Sequence, residues 1–124
     1  MVRTTTAFLP LLRRSADPVV INVSSSMGRW RPRTTRPDPS PGDHPVYSSS
    51  KAALTMLTTQ YAKALTDIRI NVADPGYTAT DLNGNSGPQT VTEGTDAIVT
   101  LATEGPGHGS GRFVDRDGEI SFLS

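Results

Sequence analysis

The chain has 124 residues, enough for one domain with a single core, and that core is lean, with 35% hydrophobic and 6% aromatic residues. Twelve basic and twelve acidic residues cancel, so neither a nucleic acid nor an anionic membrane is an expected partner. With no cysteine and only His44 and His108, disulfides, thiolate metal sites, a cysteine nucleophile and a His-rich metal site are excluded.

The apolar stretch over residues 7–12 is far shorter than the ~20 residues of a spanning helix. Arg13 and Arg14 follow it, whereas a signal peptide carries its positive charge ahead of the apolar run. A cytoplasmic location is the expectation. The neutral total hides an asymmetry: residues 1–36 carry seven arginines against Asp17 alone, and the acidic excess lies in residues 37–124.

Residues 4–14 read as a helix, with Phe8, Leu11 and Leu12 at i, i+3 and i+4, although Pro10 interrupts the pattern. Asp17-Pro18 marks a turn. The β-branched run Val19–Val23 reads as a strand buried on both faces, as in parallel sheets. Residues 29–45 hold five prolines and read as a long irregular loop. Within it Trp30 is expected to anchor the loop. Arg29, Arg31, Arg33 and Arg36 are expected to form a solvated cluster, and His44 to be exposed.

Residues 46–66 give the clearest helix, with Leu54, Leu57, Tyr61 and Leu65 on one stripe and Ala53 and Ala64 beside it. Residues 68–73 form a second buried strand, closed by the turn Asp74-Pro75-Gly76. A polar loop follows, with a short helical piece near Asp81. Residues 92–103 read as a third helix with Ala97, Ile98, Leu101 and Ala102 apolar, and residues 105–111 as a glycine-rich loop. Phe113-Val114 and residues 120–122 flank a turn at residues 115–118. Alternation of helix and strand predicts an α/β fold: a partial, Rossmann-like, doubly wound parallel sheet of about three strands, as one partial domain over residues 1–124.

Tyr47 and Lys51 lie four apart at the start of the long helix, on one face. A phenol is a poor base at neutral pH, but an ammonium and a helix N-terminus beside it favour its charged form. The pair is thus a candidate general acid/base device. A buried strand ends in Ser24-Ser25-Ser26, and catalytic groups in open α/β sheets gather at the carboxyl ends of strands. The second strand ends at the same edge in the loop over residues 75–81.

Three motifs stand in this order: Val20-Ile21-Asn22-Val23-Ser24-Ser25, then Tyr47-Ser48-Ser49-Ser50-Lys51-Ala52-Ala53, then Ile70-Asn71-Val72 with Pro75-Gly76-Tyr77-Thr78-Ala79-Thr80. As a set they resemble the C-terminal half of a short-chain dehydrogenase/reductase, of the carbonyl-reductase-like branch, over nearly the whole chain. The resemblance implies that Ser25 orients the substrate carbonyl or hydroxyl, with Ser24 or Ser26 taking that role if the register is off by one. It implies that Tyr47 moves the proton and that Lys51 favours its phenolate and binds the ribose of NADP or NAD. Pro75, Gly76, Thr78 and Thr80 would face the nicotinamide and pyrophosphate.

The reaction implied is reversible hydride transfer between a nicotinamide cofactor and a small-molecule carbonyl/alcohol pair. Members open with a strand and a glycine-rich turn that seats the pyrophosphate. Residues 1–20 hold no such turn, and the glycines at residues 105–111 lack the strand before and helix after that a dinucleotide fingerprint needs. The chain is therefore expected to lack the nucleotide-binding half, and Asp74, where an uncharged residue is more usual, to disturb the cofactor loop. The alternative is a non-catalytic module that self-associates, or pairs with a full-length reductase, through its exposed sheet edge and helix face.

Overall fold

A computed structural model describes residues 1–29 and 44–122. Trp30, Arg31, Arg33 and Arg36 lie outside the described residues, with most of the irregular loop. The element order is α1 (Val2–Leu12), β1 (Val19–Val23), α2 (Pro45–Ala64), β2 (Arg69–Ala73), α3 (Val91–Thr103), β3 (Phe113–Asp115) and β4 (Gly118–Glu119), with short 3-10 turns at Ser26–Gly28, Asp81–Asn83 and Pro106–His108.

One sheet runs in the order β1-β2-β3-β4. Strand β1 is parallel to β2 from Val19 opposite Arg69 to Val23 opposite Ala73, and β2 is parallel to β3 with Val72 opposite Phe113. Strand β4 turns back antiparallel on β3. The fold is α/β as expected, with four strands rather than about three. The extra strand is the second arm of the hairpin at residues 115–118, where Asp115 Oδ1 accepts the N–H groups of Asp117 (2.9 Å) and Gly118 (3.1 Å). No helix among the described residues is long and apolar enough to cross a membrane.

Side chains alternate across the sheet with period two. On one face Ile70 joins Ile68 and Ala62, with Val20, Leu9, Leu12, Tyr61 and Leu65 packed around them, so α1 and α2 cover this side. On the other, Ala73, Ala97, Leu101 and Val114 cluster with Ile21 and Ile98 under α3. Every residue of β2 is buried. Strand β1 departs from the expected burial on both faces: its first four residues are half-buried and Val23 is 41% exposed. Among the described residues only β2 pairs with it.

Helix α2 corrects a second expectation. The face turned to the sheet carries Thr55, Thr58 and Ala62, and Leu57 is exposed. Those three positions also recur at helical spacing, and their hydroxyls find partners. Thr58 Oγ1 donates to Leu54 O (2.7 Å) and accepts from Asn22 Nδ2 (3.0 Å), and Thr55 Oγ1 lies 2.8 Å from Ser24 Oγ. Polar side chains on β1 thus select a polar stripe on the helix. Pro10 stays inside α1; its missing N–H removes one helical hydrogen bond near the C-terminal end.

Helix α3 begins one residue before the expected range, behind a capping box. Thr90 Oγ1 accepts the Glu93 N–H (3.2 Å), and Glu93 Oε2 accepts the Thr90 N–H (2.8 Å). That N–H and then Arg116 hold the Glu93 carboxyl down from 4.5 to about 2.

Leu101 is fully buried at the centre of the α3 cluster. Leu101→Ala is expected to cost about 2–5 kcal/mol, read from the midpoint of chemical denaturation. The Glu93 carboxyl is lowered on folding, so its contribution is present above the unfolded value and is lost as the pH falls through about 2. Glu93→Gln is expected to narrow its stability gap to the wild type steadily below about pH 5, measured by denaturation across that range.

Candidate active site

Parallel registration brings the carboxyl ends of β1 and β2 to one edge of the sheet. Strand β1 runs into the three serines. Ser24 is buried, and its Oγ bonds Lys51 O (3.1 Å) as well as Thr55, so it fastens the strand end to α2. Ser25 opens the 3-10 turn, its Oγ accepting the Met27 N–H (3.2 Å). Gly28 closes that turn against α2: a Cβ there would stand 2.7 Å from Ala52 N and from the Lys51 carbonyl carbon.

Tyr47 and Lys51 sit in the first two turns of α2, which opens with exposed His44 as its N-cap and Pro45 at its first position. Lys51 Nζ donates to Val23 O (3.1 Å) and lies 5.5 Å from the centre of the Tyr47 ring, within cation–π range. One ammonium therefore touches the end of β1 and the face of the phenol. Tyr47 is 44% exposed and accessible to a small molecule. A cavity of about 580 Å³ beside it is lined by His44, Pro45, Val46, Tyr47 and Ser50.

The loop after β2 is built on Asp74, which is buried. Its Oδ1 accepts the Gly76 N–H (2.9 Å) and its Oδ2 accepts the Ser26 N–H (2.7 Å). The carboxylate expected to disturb this loop instead fastens it to the serine turn. Gly76 has φ +68° and packs against the Gln89 side chain, and Ala79 N–H donates to Gln89 O (2.8 Å). Thr78 turns inward: its Oγ1 donates to Pro75 O (3.2 Å) and its side chain fills the space left by Gly94. Thr80 heads the Asp81–Asn83 turn, its N–H donating to Asn83 Oδ1 (3.0 Å). Between these turns lies a cavity of about 320 Å³, lined by Ser26, Asp74, Gly76, Gln89, Asp115 and Arg116 among others.

The structure thus gathers Ser25, Tyr47, Lys51 and the Pro75–Gly76 turn at one sheet edge. The glycine run over residues 105–111 is at the opposite end. Gly111 N–H donates to Ile70 O (2.9 Å) near the start of β2, and the run enters β3 rather than a helix. Lys51 spends one of its three donors on Val23 O and has two left for the hydroxyls of a ribose, whereas the space a Cβ would take at Gly76 is filled by the Gln89 side chain.

The family model for short chain dehydrogenase matches residues 1–90. The chain belongs to the short-chain dehydrogenase family. A (+)-neomenthol dehydrogenase of Capsicum annuum is 32% identical over 158 aligned positions that cover 98% of this chain and 49% of that protein. A short-chain dehydrogenase of Penicillium roqueforti is 34% identical, covering 94% and 49%. Among solved structures, salutaridine reductase from Papaver somniferum superposes with a TM-score of 0.75 at 23% identity, over 89% of this chain and 49% of that one. NADPH-bound carbonyl reductase from chicken fatty liver gives 0.71 at 26%, over 97% and 51%. The chain spans about half the length of the relatives it matches.

Three site elements lay beyond the sequence reading. The Asp74 clamp depends on register, because Ser26 is 48 residues away. Gln89 joins the loop through a bridge to Thr78. Gly28, five residues past the strand, carried a legible signal for close backbone approach. Gly28→Ala is expected to lift the serine turn off α2 and cost about 1–3 kcal/mol, measured by chemical denaturation.

Proposed function

We propose that this chain carries the proton-transfer and nicotinamide-facing end of an NAD(P)-dependent oxidoreductase acting on a small-molecule carbonyl/alcohol pair. The observation that carries the reading is the placing of Lys51 between the end of β1 and the Tyr47 ring, beside the serine turn and the Pro75–Gly76 loop.

A bound nicotinamide supplies or takes the hydride. In the reducing direction, Ser25 Oγ–H donates to the substrate carbonyl oxygen and orients it. As that carbon becomes tetrahedral, the Tyr47 O–H bond breaks and its proton moves to the developing alkoxide. Lys51, held against the ring, stabilises the phenolate left behind, and bulk water restores the proton. In the oxidising direction Tyr47 takes the proton from the alcohol. Lys51 would also hold the ribose hydroxyls with its remaining donors. The loop over Pro75, Gly76, Thr78 and Thr80 would hold the nicotinamide and pyrophosphate.

The test is a fluorescence titration of the 124-residue chain with NADPH and with NADH. Saturable binding is expected. Lys51→Ala should weaken it, while Tyr47→Phe should retain binding and lower carbonyl turnover by about 10²–10⁴-fold. Absence of binding at millimolar cofactor overturns the reading.

One observation favours a second reading, a module that pairs with another chain. Strand β1 shows an unpaired edge among the described residues, and Phe8 and Leu11 of α1 are more than half exposed. Self-association without cofactor binding would select it.

A further inference from the structure

We infer that Asp74 is a positioning residue whose carboxylate fixes the spacing between the serine turn and the Pro-Gly turn; its bearing on cofactor affinity rests on the function proposed above. A carboxylate has two acceptor oxygens and no donor. Here each oxygen is committed to a different turn: Oδ2 to the Ser26 N–H at 2.7 Å, and Oδ1 to the Gly76 N–H at 2.9 Å. The two amides belong to loops that follow different strands and are 50 positions apart in the chain.

Asp74 has little freedom of its own. It is 6% exposed, and its N–H donates to Val114 O (2.8 Å), which anchors its backbone to β3. The preceding residue is tied the other way, Ala73 O accepting the Ser24 N–H at 2.8 Å. Three strands thus converge on one carboxylate. A buried carboxylate is costly unless its oxygens are satisfied, and two backbone N–H groups satisfy it with charge-assisted hydrogen bonds. A neutral amide cannot replace it, because an asparagine presents one oxygen and one N–H₂. One of the two turns would then face a donor with a donor.

Ser26 N–H is one residue from Ser25, the candidate group for the substrate oxygen. Gly76 N–H lies in the loop that would face the nicotinamide. Both Asp74 oxygens are engaged by backbone N–H groups. The carboxylate acts through these two turns, and the distance between them decides whether both are presented together.

The experiment uses the 124-residue chain labelled with ¹⁵N and ¹³C. Through-hydrogen-bond couplings from the Ser26 and Gly76 amides to the Asp74 side-chain carboxyl carbon need no variant. Both couplings are expected, and absence of either overturns the clamp. In Asp74→Asn, hydrogen exchange at both amides should accelerate about tenfold or more, whereas Asp67→Asn, a control in an exposed ion pair with Arg13 at the other end of the sheet, should leave both unchanged.

NADPH titration of the same proteins supplies the functional arm. Asp74→Asn should raise the dissociation constant about tenfold. Unchanged affinity with accelerated exchange would overturn the positioning role. If the wild-type chain binds no NADPH yet both couplings are seen, the spacing role stands and the proposed cofactor function falls.

Discussion

The fully buried strand β2 is the constraint on which the rest of the molecule depends. Its parallel pairing with β1 on one side and β3 on the other leaves no freedom in where the three chains end. A one-residue slip of any strand would exchange the faces of all its side chains, moving Ile70 from the α1/α2 cluster to the α3 cluster. Register therefore fixes the core and the candidate site together. The same pairing that buries Ile70 and Val72 delivers Asp74 opposite the serine turn.

The two ends of the sheet are secured by different means. At the amino end the fastening is ionic. Arg69 donates to both oxygens of Asp17 (3.2 and 2.9 Å) and lies 3.6 Å from Glu104, which Arg112 also meets at 2.7 Å. Arg69 and Glu104 are both more than nine-tenths buried at the side chain. Losing one partner would leave a buried charge unpaired, which is more damaging than removing the pair together. At the carboxyl end the fastenings are short hydrogen bonds from side chain to backbone, at Ser24, Lys51 and Asp74. These hold the turns while leaving the Tyr47 ring and the Lys51 ammonium open to a ligand.

Most of the architecture was legible because strand and helix signals were local. Val19–Val23 and the run before Asp74 are β-branched stretches bounded by turns, and both are strands. What was not legible depended on partners distant in sequence. The side of α2 that packs could not be read from hydropathy, because Asn22 and Ser24 on β1 draw Thr55 and Thr58 inward in place of Leu57. The exposure of Val23 likewise belongs to the assembled sheet, not to the five residues of β1. The site followed the same division. The Tyr47–Lys51 spacing sits on one helix and was readable. That Lys51 also reaches Val23 O, and that Asp74 binds two turns, required the fold.

These differences bear on how the family's chemistry is distributed along this chain. Every residue of the proposed proton path lies on β1, α2 or the turns that follow them. Lys51 is oriented by Val23, the serine turn by Ala52 and Asp74, and the Pro-Gly loop by Gln89 and Gly94. None of these contacts is made by the glycine run at residues 105–111, which is bonded instead to Ile70 and Asn71 near the amino end of β2. Seating a dinucleotide's far end is a separate task, because a phosphate site needs a helix N-terminus aimed at the same sheet edge. Among the described helices, α2 and α3 both open at that edge; the first turn of α2 carries Tyr47, and that of α3 carries the Thr90–Glu93 capping box.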